Sequence, residues 1–240
     1  PKDKAREIIE LYHERRFTFT DAVTCGTITR SETAHTVHVE KVLATVDREQ
    51  VAGRRYPVVL DSVNGAGGAE GLLLLEALGC EVVPMNVEPT GLFAHTPEPT
   101  EQNLRTLCEK VQSVGAAAGF AQDPDADRLA IVDETGAYIG EEFTLALAAR
   151  QVFSKRTGAA AANLSTSRMI DDIAAAAGGS VVRTPVGEAH VAQAMLANGC
   201  VIGGEGNGGV IDLRVGPVRD SLVGMALVLQ LMAETGKTLS

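Results

Sequence analysis

The sequence predicts an α/β protein of two tandem three-layer α/β/α modules, each built on a mainly parallel mixed sheet. Three observations point there. From residue 56 onward, short β-branched runs alternate with helical ones, the mark of βαβ units. The same order of elements recurs after residue 155, and in each copy a polar loop follows the third strand. The 240 residues contain no Trp, three Tyr and six Phe against 25 Gly, so the layers must pack largely on small side chains.

Taken in order, Ala5, Ile8, Ile9 and Tyr12 fall at helical spacing and predict a helix over residues 1–16. Residues 17–39 alternate polar and β-branched types (Thr18, Thr20, Val23, Thr27, Ile28, Thr36, Val37, Val39) and read as short strands or extended chain. Residues 39–46 read as a helix. The first module, residues 51–154, opens with a strand at 56–60, a glycine loop at 61–68 and a helix at 70–78 closed by Gly79. A strand at 81–84, a helix at 100–114 and a strand at 116–121 follow. A hairpin completes it, with arms at 129–132 and 137–140 and a turn at 133–136. The second module, residues 155–240, repeats the order: strand 159–164, helix 169–177, strand 180–183, helix 190–197 and strand 201–203.

Composition removes several function classes. Apolar residues make up 45% and charged residues 22%, values of a chain that buries a core, which excludes intrinsic disorder. Lys and Arg total 21 against 31 Asp and Glu, a formal charge of -10, and no stretch is densely basic. Nucleic acid is therefore not an expected partner, because phosphate neutralisation needs clustered cations. No apolar run approaches the roughly 18 residues of a membrane span, so no membrane partner is expected. Cys25, Cys80, Cys108 and Cys200 form no C-x-x-C pair and read as reduced thiols. With no signal-like opening segment, a cytoplasmic location is expected.

The chemistry sits in the loops. Asp123, Asp125 and Asp127 occupy alternate positions directly after an apolar strand; in an extended segment all three side chains share one side. Such carboxylates repel one another unless a cation lies among them, and an all-oxygen ligand set open to phosphate suits Mg²⁺. Arg128 beside them offers a guanidinium fork for a phosphate. The loop at 61–68 lacks the Lys-Ser/Thr of a P-loop and reads as a tight turn with Gly65 and Gly67 at positive φ. In the loop at 204–209, glycines let the backbone approach a ligand while Glu205 and Asn207 offer a carboxylate and an amide to adjacent sugar hydroxyls.

These residues carry a family resemblance. Asp123-Pro124-Asp125-Ala126-Asp127-Arg128 resembles the magnesium loop of the α-D-phosphohexomutases. Gly204-Glu205-Gly206-Asn207-Gly208 is similar to their sugar-recognition loop, in the form found in phosphoglucosamine mutases and phosphomannomutase-like members. The segment from Arg183 to Glu188 resembles one that orients the substrate, and Val58 to Gly67 resembles the start of the family's second domain. The resemblance implies Mg²⁺ on Asp123, Asp125 and Asp127, a catalytic Arg128, and a hexose phosphate held by Gly187, Glu188, Gly204, Glu205, Gly206 and Asn207. It also implies phosphate transfer between the 1- and 6-positions through a phosphoserine enzyme and a bisphosphorylated sugar. The family's Thr-x-Ser-His-Asn-Pro loop is not found. Residues 1–50 therefore read as the C-terminal remnant of a first domain. The chain is expected to be a central fragment, inactive alone and completed by domains 1 and 4 of the same polypeptide. The rival expectation is a non-catalytic sugar-phosphate or metal-binding module.

Overall fold

In the computed structural model, residues 2–31 and 33–240 are described, and the chain forms two compact units that part at residues 32 and 33. The first unit opens with α1 (Lys2–His13), with Asp3 in its first turn and His13 in its last, each on the end of the helix dipole that favours it. Among the described residues 14–31 no strand forms; the chain is irregular apart from turns at 14–15 and 22–24, so of the expected short strands or extended chain the strands are absent. Asp21 accepts hydrogen bonds from the Val23 and Thr24 amides (3.0 and 2.8 Å), and Val23 and Ile28 are exposed. β-branched residues alone do not make a strand without a neighbouring strand to pair with.

The second unit begins with α2 (Ala34–Leu43), which starts and ends ahead of the expected 39–46 and buries Val39, Val42 and Leu43 as a stripe at helical spacing. Next comes α3 (Arg48–Ala52), capped by Asp47, whose carboxylate accepts from the Gln50 amide at 3.0 Å. Then follow β1 (Pro57–Asp61), α4 (Gly68–Ala77), β2 (Glu81–Met85), α5 (Arg105–Val114), β3 (Ala118–Gln122), β4 (Leu129–Asp133) and α6 (Glu141–Phe153). The second set is β5 (Ala159–Asn163), α7 (Met169–Ala176), β6 (Ser180–Thr184), α8 (Glu188–Asn198), β7 (Ile202–Glu205), β8 (Gly209–Ile211) and α9 (Ser221–Thr235). The sheets run β2-β1-β3-β4 and β6-β5-β7-β8. In each, three strands are parallel and the last is antiparallel. The internal repeat is thus one topology used twice, and both sheets are mixed and mainly parallel, as expected.

Alternation along the central strands builds the three layers. Val58 and Leu60 enter the core shared with α9, whereas Val59 faces Leu104, Leu107 and Val111 around α5. Ala160 and Ala162 enter the shared core, and Ala161 faces Val191 and Met195 of α8. A period of two puts neighbours on opposite faces, so strands covered on both sides read as unbroken apolar runs. The shared core is continuous through both modules, and α9, buried from Ser221 to Ala233, packs on α6, α3, α2, α4, β4 and β8.

Two expectations are corrected. The β4 partner is β3, in the register Gln122↔Leu129 to Ala118↔Asp133, and the expected second hairpin arm is reduced to a Val132↔Tyr138 bridge. The aspartate loop itself reverses the chain, which leaves residues 133–136 as a turn whose Asp133 Oδ1 accepts from the Thr135 and Ala137 amides. The helix expected from residue 100 begins at Arg105. No described helix is long and apolar enough to cross a membrane.

Candidate functional site

The aspartate loop leaves the carboxyl end of β3, and Glu205 is the last residue of β7. Both loops therefore lie where parallel strands present ligands. They also meet: the Leu129 amide at the start of β4 donates to the Gly208 carbonyl at 3.0 Å.

The three carboxylates converge through a turn rather than along an extended segment. The Ala126 amide donates to the Asp123 carbonyl at 3.0 Å, and Ala126 takes φ 60°. One oxygen from each of Asp123, Asp125 and Asp127 lies within 4.8 Å of the others. The β1–α4 loop supports the turn, with the Ala66 amide donating to the Pro124 carbonyl at 2.8 Å. The left-handed residues in that loop are Val63 and Asn64, not Gly65 and Gly67. Gly65 is required for space instead, since a Cβ there would sit 2.5 Å from the Pro124 carbonyl oxygen. Beneath the turn Gln122 is buried between two hydroxyls: Ser62 Oγ donates to its Oε1 at 2.7 Å, and its Nε2 donates to Ser221 Oγ at 2.8 Å.

The electrostatics fit a cation. Asp127 Oδ1 is buried and accepts no hydrogen bond. Burial, then the charge of Asp123 and that of Asp125, push the Asp127 carboxyl up to about 6, against the pull of Arg219. A hard divalent ion would satisfy the orphaned oxygen and offset the repulsion together.

Arg128 is engaged. Its Nε donates to Asp123 Oδ2 at 2.7 Å, and its two terminal nitrogens grip Glu98 at 2.6 and 3.2 Å. As placed, the fork fastens the segment around Glu98 to the aspartate loop.

The sugar-loop candidates line a cleft of about 640 Å³ that includes Gly187, Glu188, Glu205, Gly206 and Asn207, along with Glu142, Asn163 and Arg219. Gly204 lies beneath, buried in β7. Glu205 is buried too, and its Oε1 accepts from Asn163 Nδ2 at 2.6 Å and from the Gly187 amide at 3.1 Å. Asn207 Oδ1 accepts from the Gly209 amide at 3.3 Å. Arg183 is turned away from this cleft. Its guanidinium donates to the carbonyls of Asn163, Thr166 and Ser167 and pairs with Asp171, so it braces the β5–α7 loop.

Sequence reasoning missed Arg219, the residue common to both loops. Its Nε donates to Asp127 Oδ2 at 3.0 Å and a terminal nitrogen pairs with the same oxygen. The other terminal nitrogen donates to Glu205 Oε2 at 2.8 Å, and its amide to Glu188 Oε1 at 2.6 Å. The available signal was the Arg219-Asp220 pair just ahead of a long apolar run, which marks a helix start. Asn163 was missed as well, being read only as part of a strand.

A second cleft, about 280 Å³, lies over Asp125, Asp127 and Arg219, with His38, Glu70 and Asp220 around it.

Two family models match in tandem: phosphoglucomutase/phosphomannomutase alpha/beta/alpha domain II over residues 36–136 and domain III over residues 141–240. A phosphoglucomutase/phosphomannomutase of Thermococcus kodakarensis is 42% identical over 207 residues, 85% of this chain and 45% of that protein. A probable phosphoglucosamine mutase of Methanopyrus kandleri is 38% identical over 217 residues, 90% of this chain and 47% of that protein. Among solved structures, a phosphoglucomutase/phosphomannomutase family protein from Burkholderia thailandensis superposes with TM-score 0.82 at 26% identity, covering 97% of this chain and 50% of the other. A putative phosphomannomutase from Thermus thermophilus also gives 0.82, at 29% identity over 89% of this chain and 50% of the other. The chain spans about half the length of the curated relatives it matches. With both models matched in order over most of its residues, the chain belongs to the phosphoglucomutase/phosphomannomutase family, the α-D-phosphohexomutases, and carries its domains II and III.

Proposed function

We propose that this chain supplies the cation-holding and sugar-reading parts of a phosphohexomutase that interconverts hexose 1-phosphates and 6-phosphates through a phosphoserine and a bisphosphorylated sugar. The observation that carries the reading is the meeting of the two loops, joined by the Leu129–Gly208 hydrogen bond and bridged by Arg219. The named activities of the relatives support it.

Asp123, Asp125 and Asp127 would hold Mg²⁺, and their donor set and the orphaned Asp127 oxygen fit that ion. When bound, Mg²⁺ supplies electrostatic stabilisation of phosphoryl oxygens. Glu205, Gly206 and Asn207 would orient the sugar together with Gly187 and Glu188, which line the same cleft, the Gly187 amide resting on Glu205. Because Glu205 and Asn207 would grip the sugar's hydroxyls rather than its phosphate, the same loop reads both phosphate isomers. Arg128 holds Asp123 in place and offers its guanidinium to a phosphate that displaces Glu98.

The residues assigned to this site bind and orient but include no nucleophile, so the 240-residue chain should bind ligand without turning it over. Support for a reducing, cytoplasmic setting comes from the four cysteines, all free thiols.

Calorimetric titration of the chain with Mg²⁺ or Mn²⁺ tests the reading. Saturable heat is expected from the wild type and none from Asp125→Ala. Equal heats from the two proteins would place cation binding elsewhere.

A further inference from the structure

We propose that Arg219 is a positioning residue that couples the two loops: it competes with a divalent cation for Asp127 while it stays fastened to Glu205, so that the sugar loop registers whether the aspartate loop is loaded. The proposal rests on the cation reading of the aspartate loop and extends it to a residue outside both loop motifs.

The geometry carries the argument. Two guanidinium nitrogens of Arg219 meet one oxygen of Asp127, and the third meets Glu205 Oε2 at 2.8 Å. The other Asp127 oxygen is buried and accepts no hydrogen bond. A cation that takes the first oxygen must displace the guanidinium. A cation that takes the second sits a few ångströms from a positive charge in a partly buried site, where the repulsion is weakly screened. Either way the two positive groups are rivals for one carboxylate.

The arginine cannot simply swing clear. Its amide donates to Glu188 Oε1 at 2.6 Å. The next two residues are pinned, the Asp220 amide to the Val210 carbonyl at 2.9 Å and the Ser221 amide to the Ala126 carbonyl at 3.2 Å. Its stem lies on the first residue of β8, where a Cβ on Gly209 would come within 2.3 Å of Arg219 Cδ and 2.9 Å of Cγ. What remains free to move is the guanidinium. Released from Asp127, it keeps Glu205 and turns two N–H groups toward the cleft that Arg219 and Asn207 share. An anionic ligand there would accept them, which favours cation and sugar phosphate binding together. By linkage the effect is reciprocal.

The test is Mn²⁺ binding to the 240-residue chain, followed by calorimetry and by the electron paramagnetic resonance of free Mn²⁺, with circular dichroism to confirm folding. Arg219→Met is expected to tighten Mn²⁺ binding at least about fivefold, the lower end of ordinary coupling between sites. Gly209→Ala keeps every charge but crowds the Arg219 stem, and it should shift affinity in the same direction. Glu205→Gln loosens the latch, so it should tighten Mn²⁺ binding about threefold in the wild-type background and leave it unchanged in the Arg219→Met background, as expected of a shared network. Unchanged or weaker Mn²⁺ binding in a folded Arg219→Met or Gly209→Ala protein overturns the proposal, as does an equal effect of Glu205→Gln in both backgrounds. A wild-type chain that binds no Mn²⁺ overturns the cation site and the coupling together. Wild-type binding indifferent to Arg219 overturns the coupling alone.

Discussion

Glu205 is fully engaged before any ligand arrives, with Asn163, Gly187 and Arg219 all donating to its carboxylate. Its place in a glycine-rich loop made it legible in the sequence, and Gly187 was named through the family resemblance, but Asn163 and Arg219 lie on other segments and were not. Buried polar groups of this kind are expensive to leave unpaired. Ser62→Ala deprives the buried Gln122 Oε1 of its donor and should lower the unfolding free energy by about 1–3 kcal/mol in urea denaturation. His38 gives a pH signature. Its Nε2 lies 3.0 Å from Asp220 Oδ2. Its close contact with the Asp220 carboxylate raises its pKa above the ordinary 6.5, against burial, which lowers it; the Glu70 charge adds to the rise and Lys41 opposes it. A raised folded-state pKa means stabilisation that is complete below the unfolded value and lost as pH climbs through the folded one. The melting temperature of wild type should therefore exceed that of His38→Gln by most below the ordinary imidazole value and by progressively less as pH rises above it. A difference that grows with pH would rule out the charged contact.

Strands were legible where short β-branched runs are bounded by turn residues. The runs at 56–60 and 81–84 became β1 and β2 with little change. α6 and α9 gave no reading because their faces are covered on several sides, and a helix apolar all round loses the 3.6-residue pattern that betrays it. Only the end of α9 carries a local signal. Asp220 caps it, accepting from the Leu222 and Val223 amides at 2.9 and 3.4 Å. Asp220→Ala should cost about 0.5–2 kcal/mol by the loss of that cap. It should also abolish the pH-dependent effect of His38→Gln, measured as a double-mutant cycle at two pH values. Persistence of that effect would assign it to the charge of Glu70 instead. The hairpin was legible only in part: the turn at Ala126 sends β4 back onto β3, and the expected arm beyond residues 133–136 keeps only the short Val132–Tyr138 pairing.

For the molecule as a whole, the repeated strand order suggested two modules, yet one core runs through both. Val58 and Phe120 of the first sheet, Ala160 and Ile202 of the second, and Leu227 of α9 belong to the same buried cluster. Residues 33–240 should consequently unfold in one transition, with far-ultraviolet dichroism and urea-gradient fluorescence of the tyrosines giving coincident midpoints. Two separated midpoints would show that the modules are energetically independent. The site shows the same division between local and distant information. Asp123, Asp125 and Asp127 were readable because their chemistry lies within five residues. Arg219 acquires its role only when the start of α9 is carried between loops from different sheets.

The contact between Gly208 and Leu129 limits how this cleft can diversify. Gly208 takes φ 90°, and a Cβ there would lie 2.4 Å from the Leu129 carbonyl oxygen, which belongs to backbone and cannot yield as a flexible side chain would. Any side chain at that position meets the junction of the modules before it meets anything in the cleft. The loop's evolutionary freedom is thereby channelled into Asn207, which is half-buried at the cleft wall and fastened through its carbonyl oxygen to Gly209. If the cleft holds the proposed sugar, a change at position 207 alters its contacts at little risk to folding, whereas one residue later the fold is the stricter judge.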